Sequence, residues 1–181
     1  TAMDVLQDIQ RSLDEIAQAG TLDALDALRV ALLGKNGAVT AALKALGTLP
    51  PEEKKARGAE VNRVKERITD AIAARIDHLE EMAKQVLETA AVIGRLVAMS
   101  ILRPVTALPN DELLEAISQL RHAELLYDLP PYDQELLAFR HPLIQEVAYA
   151  TQLRSRLIAL HASVAKTIEA FDWGKLDEFA G

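Results

Sequence analysis

Apolar residues recur along the first nineteen positions at Val5, Ile9, Leu13 and Ile16, a spacing that lays one stripe along a helix over Asp4–Ala19. Gly20 ends that helix, and Thr21 is placed to cap the next one, which carries Leu25, Leu28 and Leu32 and then Val39, Leu43 and Leu46. The segment Leu33-Gly34-Lys35-Asn36-Gly37 interrupts the second stripe. Each glycine inside a helix costs about 1 kcal/mol, so Gly34 and Gly37 predict a bend or a close helix–helix approach. Gly47 suits the position just past a helix end, Pro51 the first position of a new helix, and Glu52 and Glu53 its positive pole. From Pro51 the apolar steps of three and four run through Val61, Val64, Ile68, Ile72, Ile76, Leu79, Ala83, Val86 and Ala90 without punctuation. They predict an antiparallel helical hairpin whose long arm continues unbroken from Pro51 to about Gly94.

Beyond Arg103-Pro104 the texture changes. A Pro-Asn-Asp start precedes Leu113, Leu114, Ile117, Leu120 and Leu125 on one helical side. Two short apolar runs, Leu125–Leu129 and Leu136–Phe139, flank a Pro-Pro-Tyr-Asp turn and read as a β-hairpin. Two further helices follow, the first opened by Pro142, with His141 at its cap. Helices followed by a small hairpin predict a winged-helix-like module. The expected fold is thus mainly α. A coiled-coil helical arm over residues 1–84 continues through a shared helix into a winged-helix-like helical module, residues 85–181, with one small β-hairpin. Phe171, Trp173, Leu176 and Phe179 crowd the last eleven residues, and Trp173 is expected to close the core within its own chain. A monomer is therefore favoured over a homodimer.

Composition narrows the chemistry. The chain has no cysteine, which removes disulfides, thiolate nucleophiles and zinc–thiolate sites. Its net charge is −7, distributed as −2 up to Glu80 and −5 after it, so neither half is a basic domain. No apolar run is long enough to span a bilayer, which predicts a cytoplasmic protein; Thr1-Ala2-Met3 resembles the remnant of a cleaved tag. The Gly-Lys-Asn-Gly segment lacks the strand, spacing and following Ser or Thr of a phosphate-binding loop, so Gly34 and Gly37, like Pro51 and Gly58, read as structural. His78, His122, His141 and His161 are too far apart for a local metal motif, and Ser100, Ser118, Ser155 and Ser163 lack a nucleophile setting. The reading is of a protein that is not an enzyme and requires no cofactor, metal or partner. Arg154 and Arg156 form the only close basic pair in an acidic second half, which argues against DNA reading.

The segment "LDALRVALLGKNGAVTAALKALGTLPPEEKKARGAEVNRVK" resembles the N-terminal helical arm of the bacterial phenylalanyl-tRNA synthetase α chain. The resemblance rests on Leu33–Gly37, on Leu49-Pro50-Pro51-Glu52-Glu53, and on Gly58, Asn62 and Lys65. It implies a coiled-coil arm that holds tRNA from outside a catalytic core, with Lys35, Arg63 and Arg67 as candidate RNA contacts. Asn36 stands where the family more often has a second lysine, which predicts weak tRNA binding. The segments "LPNDELLEAISQLRHAELLYD" and "FRHPLIQEVAYATQLRSRLIALHASVAKTIEAF" resemble the winged-helix-like part of multidomain bacterial class III adenylate cyclases. Two unrelated resemblances that meet near residues 79–88 inside one apolar register imply an engineered helical fusion, a non-catalytic scaffold. The alternatives are a tRNA-binding module that keeps the arm's contacts and a natural protein-interaction module.

Overall fold

The computed structural model describes residues 11, 14–16, 18, 20–35, 37, 41, 50–129 and 135–179, with 22, 33, 53, 57, 61 and 171–179 as backbone alone. The chain divides into two compact units, Thr1–Ala74 and Arg75–Gly181. As predicted, it is mainly helical, and a small antiparallel sheet lies in the second unit.

In the first unit, α1 spans Leu22–Leu33. Thr21 is extended and its Oγ1 accepts from the Ala24 amide at 3.1 Å, satisfying one of the free donors of the first turn. Asp26 pairs with Arg29 one turn on. Leu25 and Leu32 are buried, and so is Ile16 in the helical stretch before Gly20. At the far end Gly34 caps α1, its amide bonded to the Val30 carbonyl. A Cβ on Gly34 would lie 2.3 Å from that carbonyl oxygen, and one on Gly37 2.4 Å from the Leu32 oxygen. The predicted bend is therefore real and local: the backbone folds over itself too tightly for any side chain at either position. The continuation through Val39, Leu43 and Leu46 lies outside the described residues.

Helix α2, Pro51–Asp77, begins at the expected proline. It buries a single stripe, Val64, Ile68, Ile72 and Ile76. The prediction of one unbroken helix to Gly94 is corrected here. α2 ends at Asp77, His78 to Glu80 form a turn, and α3 spans Glu81–Ile93. Glu80 has φ −60° and ψ 148°, outside the helical region, and its carboxylate accepts from the Gln119 amide. The shared helix joining the arm to the module is thus two helices. The reason is packing. α2 needs only one apolar stripe, whereas α3 is buried on nearly all sides from Val86 to Val92, a burial that other helices must supply. The step from Ile76 through Leu79 to Ala83 keeps its rhythm across the turn, which is why periodicity does not reveal the break.

The second unit continues with β1 (Leu96–Ala98), α4 (Met99–Thr106), α5 (Asn110–His122), β2 (Leu126–Asp128), β3 (Leu136–Phe139), α6 (Pro142–Ala150) and α7 (Arg154–Phe179). The two predicted strands are present as β2 and β3, antiparallel, with Leu126 opposite Phe139, and the Pro-Pro-Tyr-Asp turn between them lies outside the described residues. A strand absent from the sequence reading, β1, adds antiparallel to the other side of β3, with Leu96 opposite Ala138. The sheet order β1-β3-β2, with a helix before β1 and two between β1 and β2, is the winged-helix arrangement. α3 is its axis and packs on α4, α5, α6 and α7. Val97, Leu102, Leu113, Ile117, Leu120, Leu137 and Ile144 are essentially fully buried around it. Gly94 ends α3 with φ 146°, a conformation open to glycine, and delivers the chain to β1. Pro142 is the first residue of α6 and His141 its cap position, but the imidazole makes no capping bond. Trp173 lies on α7, and its side chain falls outside the described residues.

Candidate nucleic-acid interface

Cations decide where an acidic protein can meet a polyanion, and in the second unit four of them are committed to carboxylates while Arg95, Arg154 and Lys166 are exposed without an ion pair among the described residues. In the second unit the guanidinium of Arg103 donates to Glu135 at 2.9 Å, that of Arg121 to Asp128, and that of Arg156 lies 3.1 Å from Glu88. Lys84 binds Asp77, and that hydrogen bond, outweighing burial, holds its ammonium above the ordinary lysine range. On α2, Lys54, Lys55, Arg63, Lys65 and Arg67 are exposed, and none of them forms an ion pair among the described residues. From Lys54 to Arg67 the chain carries six bases against two acids, Glu60 and Glu66. This is the most basic stretch of the protein.

Arg63 and Arg67 are one helical turn apart and share a flank of α2. With the buried Ile68 as zero, they lie about 140° and 100° to one side. Lys54 and Lys65 lie about 40° and 60° to the other side, and Lys55 about 140° round. The cations therefore surround the exposed part of the helix instead of forming one stripe. Glu60, half-buried on the Arg63 side, has a carboxylate oxygen without a hydrogen-bond partner among the described residues. Lys35 is exposed in the turn after α1, and the structure describes no contact linking it to the arginine pair. Arg57 enters only through its backbone.

The helix that reads DNA in winged-helix proteins corresponds in position to α5. Here its exposed residues include Asp111, Glu112, Leu114 and Glu115, with Arg121 committed to Asp128. An acidic helix in that position would repel phosphate. Among the described residues there is no group of three metal-ligating side chains, and no helix is long and apolar enough to cross a membrane. His161 accepts or donates a 2.9 Å hydrogen bond with the Tyr149 hydroxyl and stacks edge-on to its ring. The pair fastens α7 to α6.

Residues 20–86 match the family described as the N-terminal domain of class II aminoacyl-tRNA synthetases. The chain is 46% identical over 110 residues to the phenylalanine–tRNA ligase α subunit of Thioalkalivibrio sulfidiphilus (strain HL-EbGR7), covering 58% of this chain and 32% of that one. It is 47% identical over 92 residues to the corresponding subunit of Xanthomonas oryzae pv. oryzae (strain MAFF 311018), covering 51% of this chain and 25% of the relative. With that of Xanthomonas campestris pv. campestris (strain B100) it shares 49% identity over 86 residues, 48% of this chain and 23% of the relative. The chain thus spans about a quarter to a third of the length of these relatives. No solved structure matches.

These findings bear out the synthetase resemblance and overturn the engineered fusion. A stretch covering 58% of 181 residues must include residues 79–88 wherever it starts, so similarity to a natural synthetase subunit runs through the supposed junction. The family match itself continues to residue 86, past the turn at His78–Glu80. An adenylate cyclase fragment has no support in these relatives, and a scaffold assembled from two unrelated pieces is withdrawn. A preserved apolar phase is no mark of design here, since it runs across the turn between α2 and α3.

Proposed function

We propose that the helical arm is a tRNA-binding module that contacts the phosphate backbone through α2, and that these residues bind RNA without chemistry of their own. The observation that carries this reading is the set of exposed cations at Lys54, Lys55, Arg63, Lys65 and Arg67, without an ion pair among the described residues and inside the segment similar to a synthetase N-terminal domain. Cations that surround a helix can follow a curved backbone without reading bases, because phosphate contacts position an RNA and do not specify its sequence. Lys35, exposed in the turn after α1, is a further candidate phosphate contact. The acidic second unit takes no part in the RNA contact, and the cytoplasm, where tRNA is aminoacylated, is the expected compartment.

Fluorescence titration with tRNA at several salt concentrations tests the proposal. Binding should weaken linearly on a log–log plot, with each phosphate contact adding about 0.7–0.9 to the slope. Arg63→Glu with Arg67→Glu should lower affinity on the order of tenfold or more and flatten that slope by between one and two contacts. Arg154→Glu, an exposed change in the second unit, should leave both unaltered. An affinity indifferent to the α2 pair, or no binding at low salt, would overturn the proposal.

A further inference from the structure

Glu88 is the single carboxylate buried among the described residues, 7% exposed on the second turn of α3. Its Oε2 lies 3.1 Å from the Arg156 guanidinium in the first turn of α7. Gln152, in the turn between α6 and α7, is equally buried, and its Nε2 donates both to the Glu88 carbonyl at 3.0 Å and to that of Ala148. The amide oxygen of Gln152 is buried with no hydrogen-bond partner among the described residues. One residue of α3 is thus held through its backbone by an amide and through its side chain by an arginine, both from the start of α7 or just before it.

We propose that Glu88 is a proton-operated latch between α3 and α7: it takes up a proton in mildly acidic solution while the unit stays folded, and in doing so releases Arg156. The Gln152 bond to the Glu88 backbone is independent of protonation and keeps the elements in register while the side-chain tie opens. The charged surroundings are few. Arg156 approaches from α7, Lys84 and Glu81 lie along α3, and Asp77 stands at the end of α2. α5 places the Gln119 amide on Glu80, and α6 places the Gln145 amide on the Ala91 carbonyl. Burial pushes the Glu88 carboxyl above the ordinary glutamate range. Arg156 and Lys84 pull it back, and Glu81 and Asp77 add to the rise.

The sign is opposite to that of most ion-paired carboxylates. Because the folded protein holds the proton more firmly than the unfolded chain, the stabilisation is complete below the ordinary glutamate pKa. It is lost as pH rises through the raised folded value. The ion pair offsets part of the cost of a buried charge without reversing it.

Carbon-detected NMR titration of the Glu88 carboxyl in the full chain, with melting curves at about pH 5 and about pH 8, tests the latch. The carboxyl should titrate above an ordinary glutamate. Glu88→Gln should melt higher than the parent at the alkaline end, with the difference shrinking toward the acid end. Arg156→Ala should cost more at the alkaline end, where it strands a buried charge. A carboxyl that titrates at or below the ordinary value, or a Glu88→Gln variant that loses the same stability at every pH, would overturn the latch. If Glu88→Gln does not fold, the titration of the parent protein decides alone.

Discussion

Gly34, Gly37 and Gly58 are the same residue put to unlike uses, and substitution should separate them. At Gly34 and Gly37 a methyl group would strike backbone oxygens that have nowhere to go, so alanine at either position should destabilise the first unit by about 1–3 kcal/mol. Gly58 sits inside α2 with nothing within 4 Å of where a Cβ would stand. Gly58→Ala should stabilise by about 0.5–1 kcal/mol, since the helix would gain propensity without a clash. Urea midpoints of the three variants check the contrast. The structural reading of the first two glycines was legible in the sequence, because their spacing breaks a helical stripe. Gly58 also reads as structural in the sequence, but a family pattern does not say whether a glycine is needed for space, and here a Cβ would meet nothing within 4 Å. Glu88 was invisible for a related reason. In "QVLETAAVIG" it falls off the apolar seam, and a helix buried on most sides cannot be told from one buried on a single face.

Among the elements, the start of the long periodic helix at Pro51 is legible in the sequence but its end is not, and the short elements are legible unevenly. The Leu126–Asp128 and Leu136–Phe139 strands were foreseen because they bracket turn residues. β1 was missed because three residues enclosed between two helices carry no alternation to detect. The turn at His78–Glu80 was missed because none of its residues opposes a helix strongly, and tertiary burial decides where α3 begins. Helix starts were the surest local signal. Thr21 caps α1 as expected, and Thr21→Ala should lower the stability of the first unit by about 1 kcal/mol, whereas Thr21→Ser should keep most of it. Thermal melts of the two variants measure the difference. The capping oxygen, not the side-chain volume, is what the serine variant preserves.

Over the whole molecule, charge is partitioned between units. Residues 75–181 carry ten bases and sixteen acids, and the stretch Lys54–Arg67 concentrates the opposite sign. That contrast was legible from sequence. The pairing of the second unit's arginines was not, since Arg103 meets Glu135 and Arg156 meets Glu88 across long separations in the chain. The pairing of β1 with β3 has a kinetic consequence. Strands β2 and β3 are joined by a short connection and can zip within about 1–10 μs, but Leu96 must find Ala138 across more than forty residues. Closing that loop costs chain entropy before it returns any contact, so β1 should dock after the rate-limiting barrier has been crossed. Val97→Ala, which empties a fully buried position on β1, should then accelerate unfolding and leave the refolding rate almost unchanged. Stopped-flow chevrons would register this as a displaced unfolding limb. A slowed refolding limb would mean that the distant strand belongs to the nucleus. On the expected outcome, the last piece of the sheet to arrive is also the first to leave, and how long the winged unit survives once folded is set at its edge, by three residues.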